Sequence, residues 1–307
     1  MGRGRVKRAQ RKKIIAIILM LILCILALAY VVKLAGRAKA PQVSNEPEVA
    51  VDDTADTTAE DTDADEEDGA ALHEEAASHI YSRGRTADSS DFTLDAYDKA
   101  VDAGVIYIEA DMVVSADGTV YVASDDYAKD LVGLDGYFSG MTDSQIDGLK
   151  TRAGNKILKL SELFDKYGDS VTYIIDIKYS SARNIEAFTD IVKKYEYEDN
   201  VIASSYYSDA LRPLEDTFPD MTKMFMCSDQ GTFNVGLSYD YADILCVPKD
   251  IMNDANFKAA HDSDKKFSVW TLNTEEEIKN AIGLGADSYF TDDAELAIGL
   301  EEENRGE

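Results

Sequence analysis

A parallel α/β barrel, carried on a membrane helix and an acidic stalk, is the fold class this sequence predicts, and three observations predict it. Residues 14–32 form an unbroken apolar run behind a basic cluster. Residues 33–77 carry almost nothing from which a core could be made. From residue 78 to residue 300, strand-like and helix-like segments alternate, which argues for parallel βα units rather than a sandwich.

The anchor comes first. Residues 1–13 hold Arg3, Arg5, Lys7, Arg8, Arg11, Lys12 and Lys13, and the apolar run that follows is closed by Lys33. At a rise of about 1.5 Å per residue, the run nearly matches a hydrocarbon core of about 30 Å. The basic cluster is expected to stay cytoplasmic, leaving the body extracytoplasmic at the cell membrane. A cleaved signal peptide is the alternative, since Ala38-Lys39-Ala40 has the form of a cleavage site. The length of the run, the basic residues after it and Pro41 weigh against that alternative.

The stalk follows. Residues 41–77 contain fourteen Asp and Glu, no Lys or Arg and no aromatic side chain. Such a segment cannot bury enough apolar surface to offset its ordering entropy, so residues 33–77 are expected to be a disordered linker. Residues 1–40 hold ten Lys and Arg, and the rest of the chain sets 21 basic against 59 acidic residues, a balance of −38. Nucleic acid is excluded as a partner on that balance.

In the body, strands are predicted at 78–82, 105–112, 119–124, 171–178, 201–205, 223–226, 242–247, 267–272 and 287–291. Helices are predicted at 94–103, 142–149, 159–167, 184–195, 208–218, 255–260 and 275–284, with 301–307 left as a tail. Nine strands exceed an eightfold barrel by one. The Asp117-Gly118 turn makes 119–124 the return arm of a hairpin beside the second barrel strand, and the other eight close the barrel. Cys227 and Cys246 fall in strand segments, either as buried free thiols or as a disulfide.

Chemistry concentrates in the second and fourth of the predicted strands. Glu109 and Asp111 lie two apart and share a face, and Asp176 and Lys178 repeat the arrangement. Carboxylates at the mouth of such a barrel could hold a hard divalent cation, Mg²⁺ or Ca²⁺. A structural ion-pair network is the other reading.

The order of short motifs is more specific. Ser82-Arg83-Gly84, Asp91-Phe92-Thr93-Leu94, Ile108-Glu109-Ala110-Asp111, Ala116-Asp117-Gly118, Ser124-Asp125, Ile175-Asp176-Ile177-Lys178, Ser204-Ser205-Tyr206, Val269-Trp270-Thr271-Leu272-Asn273 and Thr291-Asp292 occur in that sequence. Together they resemble the ordered signature of the glycerophosphodiester phosphodiesterase family across residues 78–300. The resemblance implies a distorted (β/α)8 TIM barrel with a divalent metal on Glu109, Asp111 and Asp176. It implies phosphate contacts from Arg83 and Lys178. Trp270, in a barrel strand just before a loop, is either an aromatic wall for a glycerol or sugar moiety or ordinary core.

In that family two histidines act as general acid and base, and the matching positions here are Ser82 and Ser124. Asp91-Phe92 and Asp176 depart from the pattern as well. A serine hydroxyl does not exchange protons near neutral pH as an imidazole does, so the ordinary mechanism is expected to fail. Of the three histidines, His73 lies in the stalk, His79 points away from Ser82 on a regular strand, and His261 ends an exterior helix. Three functions stay open. One is a membrane-anchored domain that binds a phosphodiester or sugar-phosphate without rapid turnover. The second is a metal-dependent hydrolase in which Lys178, an Asp or Tyr81 assists. The third is a scaffold for a membrane partner.

Overall fold

The computed structural model describes residues 80–83 and 92–306. The anchor at 14–32, the linker at 33–77, His73, His79 and Asp91 lie outside the described residues. Among the described residues no helix is long and apolar enough to cross a membrane.

Eight parallel strands close on themselves. They are β1 (Ile80–Ser82), β2 (Tyr107–Val114), β5 (Thr172–Ile177), β6 (Val201–Ser205), β7 (Lys223–Met226), β8 (Ile244–Pro248), β9 (Lys266–Trp270) and β10 (Ser288–Thr291), with β10 and β2 both paired to β1. The pleat sends alternate residues to opposite faces. Tyr81, Ile174, Ile202, Met224, Ile244 and Phe290 fill the lumen, whereas Ile80, Ile108, Ile175, Ala203, Phe225 and Leu245 pack outward against the helices. These strands therefore read as nearly continuous apolar runs, as expected when both faces are covered.

The predicted hairpin forms. β3 (Val120–Val122) runs antiparallel to β2, and Gly118 at φ +94° supplies the left-handed residue of the turn. The sequence reading has no counterpart of β4 (Leu158–Lys159), a two-residue strand that extends the hairpin beyond the barrel wall. Over this extension sits a small separate core of Val113, Tyr121, Ala128, Leu131, Phe138 and Ile146.

The helices lie where the sequence puts them, with four differences. The long helices are α1 (Leu94–Asp102), α4 (Leu160–Tyr167), α5 (Ala182–Tyr195), α9 (Asp254–Asp262) and α10 (Glu275–Leu284), and short α2 (Lys129–Val132) and α3 (Asp143–Asp147) flank the small core. Thr93, Ser181, Asn253 and Thr274 cap four of the long ones through their side chains. The predicted helix at 208–218 is two, α6 (Ser208–Leu211) and α7 (Leu214–Thr217), separated at Pro213, whose ring interrupts the hydrogen-bond ladder. α8 (Gln230–Gly236) escapes the sequence reading because Gly, Thr and Asn give it weak propensity. α2 is a single turn that the sequence reading also lacks. The tail at 301–307 is instead the end of α11 (Ala294–Gly306), held to the barrel through buried Leu300 and Glu301.

Candidate active site

β2 and β5 are neighbours, and their register sets Asp111 directly beside Asp176. With Glu109 one pleat below, three buried carboxylates converge, offering one oxygen each within 4.8 Å of one another. Lys178, one residue past β5, places Nζ 2.7 Å from Asp111 Oδ1 and 2.7 Å from Asp176 Oδ2. Burial pushes the Asp176 carboxyl up and Asp111 adds to this, while Lys178 pulls it down, the net direction being upward. Burial alone would depress the Lys178 ammonium, but Asp176, Asp111 and Glu109 outweigh it and raise it.

This set fits a divalent cation. The donors are hard oxygens, as Mg²⁺ and Ca²⁺ prefer. Asp176 Oδ1 is buried and has no hydrogen-bond partner, an arrangement that is costly unless something else takes its lone pairs.

Arg83 follows β1, level with Glu109 across the register. It donates from Nη1 to Thr271 Oγ1 at 2.7 Å and lies 3.6 Å from Asp292 Oδ1 through Nε. Asp292 is itself oriented by Asn273, which donates from Nδ2 to Oδ2 at 3.0 Å and accepts from the Asp292 amide at 2.9 Å. Thr271, Asn273 and Asp292 are thus a clamp on the guanidinium. Their motifs are visible in the sequence but this task is not, because it depends on β9 and β10 ending side by side near β1.

Trp270 is half-buried at the top of the lumen, edge-on to Tyr206 with ring centroids 6.0 Å apart, and its Nε1 donates to Cys227 O at 3.4 Å. Cys227 and Cys246 are free and buried, and burial raises both thiols. Tyr81 packs against Tyr107 and Phe290 deep in the lumen, and burial raises its phenol far above neutral pH. It is poorly suited to the proton transfer considered for it.

Ser82 parts company with the cluster. Ser82 follows inward Tyr81 and shares register with outward Ile108, so alternation sets its side chain on the outer face. There it lines a groove of about 570 Å³ with Ala96, Ala100 and Ile298. Ser124 is exposed just past β3, where the amide of Ala123 donates to Asp111 O at 2.9 Å. His261, on α9, donates to or accepts from Asp287 Oδ2 at 2.7 Å. Asp287 directly precedes β10, so this pair belongs to the opposite end of the barrel from the carboxylates.

A sequence model described as the Glycerophosphoryl diester phosphodiesterase family matches residues 83–296, well over half of the chain. The chain belongs to that family. Within the glycerophosphodiester phosphodiesterases, it is 23% identical over 235 residues to one from Caldanaerobacter subterraneus, covering 72% of this chain and 96% of the relative. Among solved structures it is similar to the glycerophosphodiester phosphodiesterase of Thermotoga maritima, at 27% identity and a TM-score of 0.61, covering 72% of this chain and 97% of that one. A phosphodiesterase of Oleispira antarctica, solved with its product sn-glycerol-3-phosphate, shares the fold at 17% identity and a TM-score of 0.65, covering 73% and 96%.

Proposed function

We propose that this glycerophosphodiester phosphodiesterase-like barrel binds a glycerol phosphodiester together with a divalent cation, outside the membrane, without rapid turnover. The observation that carries the reading is the convergence of the carboxylates Glu109, Asp111 and Asp176 with Lys178, set beside the serines that the motif order gives at the positions of the family's acid and base. The glycerol phosphate held by the Oleispira antarctica relative supports the ligand class.

Each residue has a task in this reading. Glu109, Asp111 and Asp176 would hold the cation, which neutralises phosphate charge and polarises the phosphorus centre when bound. Arg83, fixed by Thr271 and Asp292, presents its fork to a phosphate oxygen. Lys178 supplies a second positive charge, and Trp270 and Tyr206 offer ring surface to the glycerol. Among the described residues the cluster has no imidazole to give and take a proton near pH 7, each such group being worth about 10² to 10⁴ in rate. Among the described residues the single histidine, His261, is at the far end.

The anchor at residues 14–32 and the linker at 33–77 would tether the barrel to the outer side of the cell membrane. Full-length protein given glycerophosphocholine with Mg²⁺ or Ca²⁺ is expected to bind it in a calorimeter and to release glycerol phosphate far below a typical enzyme rate of about 10 per second. Brisk turnover would overturn the proposal. Removal of the barrel by external protease from intact cells tests the orientation, and complete protection would refute it.

A further inference from the structure

Tyrosines are not scattered evenly over the barrel. Of the five exposed large apolar side chains among the described residues, four lie beyond the carboxyl ends of strands or on the small-core module beside them: Leu134 at 42% exposure, Tyr137 at 59%, Tyr179 at 38% and Tyr207 at 48%. Three tyrosines of this face are joined, two through a shared carboxylate and the third by a ring contact. Tyr179 donates to Asp125 Oδ1 at 3.0 Å, and the Tyr127 amide donates to the same oxygen at 2.8 Å. Tyr127 donates from its hydroxyl to Asp135 Oδ1 at 2.7 Å and meets the Tyr137 ring at a centroid distance of 5.2 Å, tilted by 44°.

Both roots of this ledge are neighbours in sequence of residues at or beside the site. Tyr179 follows Lys178, and Asp125 follows Ser124 beside the strand that carries Asp111. The Tyr127 and Tyr179 hydroxyls are engaged by the carboxylates, which leaves ring faces as the open surface of those two. Burial and then Asp125 push the Tyr179 phenol up to about 12, so it stays a neutral donor. Between residues 125 and 135 the chain has Asp125, Asp126, Asp130 and Asp135 against Lys129. An anionic lipid surface or a polyanionic ligand would be repelled here, whereas an ammonium is drawn to ring faces backed by negative charge.

We infer that the Tyr127–Tyr137–Tyr179 ledge, with Asp125 and Asp135 behind it, binds the cationic amine head of a phosphodiester whose phosphate sits at the carboxylate and Lys178 cluster. This rests on the proposed function and adds to it a preference among diesters. The chemistry needed is a quaternary or primary ammonium one short alcohol away from the phosphate.

Calorimetric titration of full-length protein in Ca²⁺ compares glycerophosphocholine with glycerophosphoinositol, whose ring is an uncharged polyol. The choline diester is expected to bind about three- to tenfold more tightly, with the gap narrowing as salt rises. Tyr137→Ala and Asp135→Asn should each erase most of that ratio, and Tyr137→Trp should keep it. Equal or reversed affinities in the unaltered protein would overturn the inference while leaving the proposed function standing. So would a ratio unmoved by Tyr137→Ala or Asp135→Asn. Binding of neither diester would overturn both.

Discussion

The amino-terminal end of the barrel buries lysines and the carboxyl-terminal end buries carboxylates, and the two ends use them differently. At the amino-terminal end, Lys223 is wholly buried, donating to Phe218 O at 3.0 Å and Met221 O at 2.9 Å with Glu215 at 2.8 Å. Lys265 reaches Tyr239 O and Ala242 O, and Asp243 and Asp287 accept from the amides of Lys223 and Phe267. Both lysines and both aspartates are held by backbone groups. At the carboxyl end, Lys178 and the carboxylates face one another, and Asp176 Oδ1 has no partner at all. A buried ion is thus not in itself a sign of function. What separates the ends is whether the backbone satisfies the charge or leaves a buried oxygen without a hydrogen-bond partner.

That contrast can be broken by experiment. Lys223→Ala leaves carbonyls and Glu215 without their donor, and a loss of about 3–5 kcal/mol in urea unfolding is expected, with cation affinity unchanged. Saturating Ca²⁺ at about 100 times its dissociation constant should stabilise the barrel by about 2.7 kcal/mol, and EDTA should reverse the shift in melting temperature. No shift with either Ca²⁺ or Mg²⁺ would remove the cation from the reading. Asp176→Asn should cost at least about tenfold in cation affinity by titration with a luminescent lanthanide, whereas equal affinity would mean the orphan oxygen is no ligand. Smallest of all, His261→Ala should change stability by less than about 1 kcal/mol, since its partner Asp287 keeps the Phe267 amide, and should leave diester binding untouched.

Much of this was legible in the chain because barrel strands announce themselves twice, by apolar runs and by period-two polar pairs. Glu109 with Asp111, and Asp176 with Lys178, each share a face on any strand, so their convergence needed only β2 and β5 to be adjacent. The hairpin was legible through Asp117-Gly118, since few sequences take a positive φ so readily. β4 was not, because two residues carry no period. The clamp on Arg83 and the link from Tyr179 to Asp125 join residues 188 and 54 positions apart, distances at which no spacing rule speaks. Ser82 is subtler: motif order aligns it with a catalytic position, and strand alternation after Tyr81 sets its side chain on the outer face.

The small core over the hairpin, from Val113 to Ile146, is separate from the apolar layer that holds the barrel wall to its helices. A module with its own packing can open as a unit without melting the ring of strands beneath it. Since Asp125, Tyr127 and Tyr137 belong to that module and Lys178 to the wall, slowed amide exchange across residues 125–140 would register capture of a ligand, even where no bond is cleaved.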